Sequence, residues 1–335
     1  MSNLRTDSMR WIYITGLGGC IAIMGLILAL APFSTPDMFV PDQGVHWYYW
    51  KLQHPDFWSR FSAWSLYALH QLGLWSVIAW AQAKRPGYTA ALHPVNIAAL
   101  TLNLVFVLLH IGQTKFFYDG LAQDTHVMSS QFSVIFMLVF ILLMENSRRG
   151  LFFGLKLNFL NGPGGFLRKY HGYYFSWAIV YTFWFHPIED TLGHLLGTFY
   201  TLMLLMQGSL FFTRAHRNRY WTLLLEAFVV LHGAMVAYLS IQGEMWPMFL
   251  FGFLAIFVIT QIHGIGLGNR TRWLLAIGYI AAVVAHYWGK GSEWIEVLRI
   301  PGAEYALVFI CAGVIWLLLM LARRLKPPRP DTSPR

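Results

Sequence analysis

Residues 94–117 read PVNIAALTLNLVFVLLHIGQTKFF, and this stretch decides the fold class. It carries one formal charge, at Lys115 near its end, and it begins with a proline, which suits the first position of a helix. The hydrocarbon core of a bilayer needs about 20 predominantly apolar residues in helical form. The stretch therefore predicts a transmembrane helix.

Segments of the same kind recur along the whole chain of 335 residues, which is 57% hydrophobic and only 12% charged. A soluble domain carries about a quarter charged residues, so an ordinary globular protein is excluded. We predict an all-α, polytopic transmembrane bundle that forms a single domain over residues 1–323. Its ten helices are expected near residues 11–31, 61–83, 94–117, 128–145, 170–187, 193–213, 220–240, 246–266, 273–288 and 304–322.

The loop charges predict the orientation. The formal net charge of +9 would suggest nucleic acid in a soluble chain, but here most Lys and Arg residues lie in alternate short loops and at both ends. An excess of Lys and Arg marks the cytoplasmic side of a membrane protein. We therefore predict a multi-pass protein of the cell membrane, of the bacterial inner membrane type, with both termini cytoplasmic and no nucleic-acid partner.

Two stretches are not expected to span the membrane. Residues 33–60 hold several Trp, Tyr and Phe residues among Asp, His and Lys, which is typical of an aromatic segment at the outer headgroups. Residues 324–335 are polar and rich in proline, so we predict a disordered cytoplasmic tail. The inside loop 146–169, which contains the glycine-rich run 161–165, is predicted to be a flexible or tightly turning connection flanked by basic residues.

The 13 histidines are the most informative residues for function. Ionisable groups inside a bilayer are costly and usually have a role. His70, His110 and His232 fall within predicted helices, mostly in the outer half. Three more histidines, His126, His186 and His194, fall at the outer ends of helices.

The densest polar motif is HPIEDTLGH at residues 186–194. If it were helical, His186, Asp190 and His194 would follow at four-residue spacing and line one face. Pro187 and Gly193 more naturally mark a turn between two helices, which would aim the same side chains differently.

Histidine nitrogens and carboxylate oxygens are common ligands of iron, copper and zinc. We therefore expect a transition-metal site in the outer half, with catalytic or proton-carrying roles for His126, Glu189 and Asp190. The expected metal ligands are His110, His186, Asp190, His194 and His232.

Haem b is an alternative cofactor. His70, His110 and His232 each have a glycine one to three residues further on, and small residues let a flat macrocycle approach the helix backbone. These three histidines are the candidate cofactor ligands in that case.

The sequence thus favours a membrane-embedded metalloprotein, an oxidoreductase that acts on a lipid-soluble or small substrate such as a quinone. The alternatives are a secondary transporter, a b-type membrane cytochrome and a noncatalytic scaffold. A transporter made of two inverted halves would place His70 and His232 on corresponding helices. The substrate and the oligomeric state are left open.

Overall fold

The computed structural model describes residues 2–33, 39–41, 43, 48–239 and 245–325, with side chains from Arg10 onward. These residues form an all-helical structure without a β-strand; their extended contacts are three isolated bridges. The ten α-helices are α1 (Ser2–Leu30), α2 (Phe57–Lys84), α3 (Pro94–Phe117), α4 (Val127–Arg149), α5 (Asn161–Phe185), α6 (Leu192–Ser209), α7 (Arg219–Leu239), α8 (Trp246–Ile259), α9 (Asn269–Tyr287) and α10 (Arg299–Arg324).

The predicted all-α fold class is confirmed, and each predicted helix has a counterpart. Within the described residues, six helical segments are long and apolar enough to cross a membrane. A chain with several such segments has the composition that is typical of a membrane protein. The six are Arg10–Phe33, Pro94–Phe117, Val127–Arg149, Arg219–Leu239, Trp246–Gly264 and Glu293–Arg324.

Helix α5 lies at the centre of the bundle and packs against α2, α4, α6 and α10. Its last turn carries Trp184 and Phe185, both fully buried in the largest apolar cluster. This end of α5 is therefore held rigidly, and the loop that follows it starts from a fixed point.

Helix α9 lies at the periphery. Tyr287 is its only buried residue, and it packs mainly against α8. Trp273 and Leu274 are 68% and 70% exposed. Such an apolar surface suits contact with lipid chains, which the expected bilayer would supply.

The prediction of a loop at 161–165 is wrong, because these residues form the first turn and a half of α5. Gly164 explains why glycine is needed there: a Cβ at this position would lie 2.7 Å from the carbonyl oxygen of Leu143 on α4. Gly164 therefore serves the close packing of two helices, whereas a Cβ at Gly162 or Gly165 would meet no neighbour.

Two other predictions fall largely outside the described residues. In the aromatic segment 33–60, residues 34–38, 42 and 44–47 are not described, and in the tail 324–335 only the first two residues are. The described remainder of the segment includes Tyr48 and Trp50, which reappear below.

Candidate histidine and carboxylate site

The motif 186–194 is a turn, as Pro187 and Gly193 indicated. α5 ends at Phe185, His186 is extended with φ −106° and ψ 142°, and α6 starts at Leu192. Thr191 caps α6, with the backbone N–H of His194 3.5 Å from its hydroxyl. The helical face of His186, Asp190 and His194 therefore does not form.

The turn nevertheless brings His186 and His194 together. Their ring centroids are 5.9 Å apart, and the rings are nearly perpendicular. Tyr48 lies over both, with its ring centroid 4.9 Å from that of His186 and its hydroxyl 3.1 Å from Nε2 of His194. Nδ1 of His194 lies 2.8 Å from the hydroxyl of Thr191, and Trp50 packs edge-on against the same imidazole.

His232 on α7 is near enough to His186 for the two imidazoles to interact electrostatically. Its ring lies 5.9 Å from that of Tyr200. A Cβ at Gly197 on α6 would lie 3.1 Å from Cε1 of His232, so the imidazole needs a residue without a side chain there. Nδ1 of His232 and Nδ1 of His186 are both buried and have no hydrogen-bond partner.

Electrostatics keep the His186 imidazole neutral. Burial lowers its pKa well below the ordinary value, and the neighbouring imidazoles of His194, His232 and His110 lower it further. A neutral imidazole offers a lone pair, which is the form that binds a metal ion or accepts a proton.

His110 on α3 holds the turn in place. Its Nε2 lies 2.9 Å from the carbonyl oxygen of His186 and 3.1 Å from that of Phe183. Carbonyl oxygens only accept, so Nε2 carries the proton. Nδ1 lies 3.2 Å from Oε1 of Gln113, and both atoms are acceptors when Nε2 carries the proton. Metal ligation through Nε2 of His110 would break the two bonds to the carbonyl oxygens.

His70 on α2 is fully bonded. Its Nε2 donates to Oδ1 of Asn103 at 2.8 Å, and Nδ1 accepts from the indole of Trp184 at 3.1 Å. The amide of Asn103 continues to the hydroxyl of Ser209 at 2.8 Å. This chain of bonds joins α5, α2, α3 and α6, so the imidazole has no nitrogen left for haem.

A buried acidic group lies beside the histidines. Glu189 is 5% exposed and its Oε1 has no hydrogen-bond partner. Burial raises the pKa of Glu189, while the neighbouring Tyr118 and Lys115 lower it. Tyr118 is also buried with an unpartnered hydroxyl, and burial followed by the charge of Glu189 raises its pKa.

Asp119 follows Tyr118 and has one oxygen bonded. The N–H of Gly120 donates to its Oδ1 at 2.8 Å, while the buried Oδ2 has no partner. Burial raises the pKa of Asp119 to about 6.

The two remaining candidates lie at the surface. Asp190 is exposed, close enough to His194 for their charges to interact. His126 is exposed and caps α4, because its Nδ1 accepts the N–H of Met128 at 3.1 Å. Their catalytic roles stay predictions.

Tyr48 contacts His186 and His194, while His232 interacts electrostatically with His186 and Glu189 with Tyr48. We call these five residues the histidine site. Within the described residues, no group of three or more His, Cys, Asp or Glu side chains is spaced to hold a metal ion as it stands. Tyr48 and Gly197 were not singled out as site residues from the sequence. Their aromatic and glycine patterns give no signal that would have identified them.

No protein-family model, curated protein or solved structure matches this chain. Fold and composition assign it to the class of all-helical proteins with several helices long and apolar enough to cross a membrane, among the residues described.

Proposed function

We propose that this protein is a membrane-embedded, metal-dependent oxidoreductase whose reaction takes place at the histidine site. The substrate class is a lipid-soluble or small molecule. The observation that supports the proposal is the pair of buried, unpartnered nitrogens, Nδ1 of His186 and Nδ1 of His232. A buried polar atom without a partner is rare in proteins and calls for a ligand, an ion or a catalytic role.

The spacing of the rings is compatible with a shared ion. Imidazole nitrogens bind zinc at about 2.0–2.1 Å, so two imidazoles on one ion have centroids roughly 5 to 6 Å apart. The 5.9 Å between His186 and His194 lies at the upper end of that range. Three-ligand coordination requires the side chains to move, since no three of these groups in the described residues are spaced for a metal ion, and Nε2 of His194 would leave the Tyr48 hydroxyl.

The surroundings fit known features of metal sites. Metal-bound histidines usually fix their second nitrogen by a hydrogen bond, and Nδ1 of His194 has one to Thr191. Glu189 supplies a carboxylate that could bind the ion or take a proton. Iron or copper here would supply electron transfer, which the residues alone cannot do.

The walls suit an apolar substrate. Tyr48, Trp50 and Phe185 surround the imidazoles with aromatic rings. A quinone or another lipid-soluble molecule could approach from the membrane and meet the polar groups with its oxygen atoms.

Metal analysis tests the proposal. The protein is purified in detergent without chelators, titrated with iron, copper and zinc, and assayed by elemental analysis and absorption spectroscopy. We expect about one transition-metal ion per chain, and at least tenfold weaker binding in His186→Gln and His232→Gln. His54→Gln, at an exposed histidine, is the matched control and should bind as the wild type does. Wild-type protein without affinity for any of the three metals would overturn the proposal.

We also propose that all ten helices cross the membrane, with both termini in the cytoplasm. The basic loops support this orientation. Reporter proteins fused after residue 335 and inserted into the loop that follows Lys84 should both give the signal of a cytoplasmic location. An external signal from either fusion would overturn it.

The alternatives receive less support. A haem held by His70 and His110 would need bonds that both side chains already make to protein. In a transporter of two equivalent halves, His70 and His232 should have similar surroundings. One is bonded at both nitrogens, whereas the other has an unpartnered nitrogen.

A further inference from the structure

A second set of incompletely bonded groups lies at the opposite end of α4 from the histidine site. Arg149, the last residue of α4, pairs with Glu226 on α7. Nη1 lies 2.9 and 2.8 Å from the two carboxylate oxygens. The two side chains are only 2% and 11% exposed, so the pair is buried.

The pair leaves most of the guanidinium unused. Nε and Nη2 of Arg149 are buried and have no hydrogen-bond partner. A guanidinium has five N–H donors in a planar fork, and the Nε and Nη2 edge is one that binds two oxygens side by side. Leaving charged donors unmet in a buried place is strongly unfavourable.

Two further basic residues, connected to Arg149 through the contact of its side chain with Gly264, also carry unpartnered nitrogens. His263 has no hydrogen-bond partner at either ring nitrogen, and it precedes Gly264, whose backbone packs against the side chain of Arg149. Nε of Arg272 is likewise buried and unpartnered, and its charge interacts with His263. Arg149, His263 and Arg272 form what we call the basic site, and Glu226 is the carboxylate paired with it.

We propose that the basic site binds a phosphate group, carried by a phospholipid headgroup or present as free phosphate. Phosphate offers several oxygens, and the arginine fork binds two of them at once. A phosphate would supply acceptors for Nε and Nη2 of Arg149, Nε of Arg272 and one nitrogen of His263. If the proposed orientation holds, the site faces the leaflet that is rich in anionic lipids. The inference is independent of the metal at the histidine site.

Two arms of one experiment distinguish the sources. In the first, delipidated protein is titrated with inorganic phosphate at constant ionic strength, with binding followed by calorimetry. In the second, purified protein is examined by native mass spectrometry and phosphorus analysis for retained phospholipid. Binding in the first arm alone indicates free phosphate, in the second alone a headgroup, and in both the shared phosphate chemistry.

Variants show whether binding occurs at this site. We expect His263→Gln and Arg272→Gln each to weaken phosphate or lipid binding about tenfold. Arg270→Gln, an exposed arginine two residues earlier, is the matched control and should leave binding unchanged. Because Arg149→Gln alone would leave Glu226 buried and unpaired, the double variant Arg149→Gln/Glu226→Gln is used, and it should abolish binding while keeping the fold. Absence of phosphate in both arms, or equal effects of Arg270→Gln and Arg272→Gln, would overturn the inference.

Discussion

His70 and His110 differ from His186 and His232 in one property, the completeness of their hydrogen bonds. Each nitrogen of the first pair lies within bonding distance of a protein partner. In the second pair, Nδ1 of each ring is buried without a partner. The first pair therefore joins helices, while the second pair is available to a ligand.

Burial alone therefore does not identify a functional histidine. His70 and His110 are both fully buried, more so than His232. The Nε2–H group of each imidazole donates to a protein oxygen, and in a low-dielectric interior such bonds hold structure in one arrangement. A buried ring nitrogen without a hydrogen-bond partner, next to other imidazoles, is the stronger indication of a ligand-binding or catalytic site.

The largest expected effect is on stability, from His70→Ala. The change leaves a cavity beside Phe106 and removes the partners of Asn103 and Trp184, so we expect a loss of about 3–5 kcal/mol in unfolding free energy. His232→Ala removes no hydrogen bond made through Nδ1 and should cost about 1–2 kcal/mol. Reversible unfolding in mixed detergent micelles measures both, and equal losses would contradict the distinction.

The second prediction concerns the pH dependence of stability that Asp119 causes. Its pKa is raised to about 6 in the folded protein, so the folded state binds more protons than the unfolded state between about pH 4 and pH 6. The contribution of Asp119 to stability should therefore fall as pH rises through this window, by up to about 3 kcal/mol, and it appears as the difference between the profiles of the wild type and Asp119→Asn. Asp119→Asn keeps an acceptor for Gly120 and should flatten the fall.

Thermal unfolding midpoints of the wild type and Asp119→Asn from pH 4 to pH 7 test this. Glu293→Gln, at an exposed carboxylate remote in sequence, serves as the control and should keep the wild-type profile. The expectation fails if the wild type and Asp119→Asn show the same slope.

The smallest expected stability effect comes from Gly197→Ala. The new methyl group would lie 3.1 Å from Cε1 of His232, so the imidazole must shift by a few tenths of an ångström. We expect a stability change of about 1 kcal/mol or less and a severalfold loss of metal affinity. Gly193→Ala, where the Cβ would meet Leu239 at an ordinary 3.6 Å, is the matched control. Equal metal affinities in the two variants would show that the position of His232 does not matter.

The sequence predicted the helices well and the contacts of the site only in part. Long apolar runs fix where helices form, so the ends of α3 were predicted to the residue. The run at 161–165 was misjudged, because glycine in a close helix contact gives the same local signal as glycine in a loop. The predicted turn between His186 and His194 is confirmed. The two imidazoles are close because the chain reverses its direction there, which Pro187 and Gly193 permit.

The roles of single histidines could not be read from the sequence. His70 and His232 both look like isolated polar residues in apolar helices, and periodicity gives their depth but not their neighbours. Asn103 and Trp184 reach His70 from 33 and 114 residues away. Tyr48 reaches His194 from 146 residues away.

An all-helical chain with several helices long and apolar enough to cross a membrane followed from the sequence, because helix formation and apolar length are local properties. The tertiary structure alone decided which polar groups are satisfied and which are not, because hydrogen bonds between helices join residues far apart in the chain. That distinction separates His70 and His110 from the histidine site, and it also reveals the unmet donors of Arg149 at the other end of the bundle.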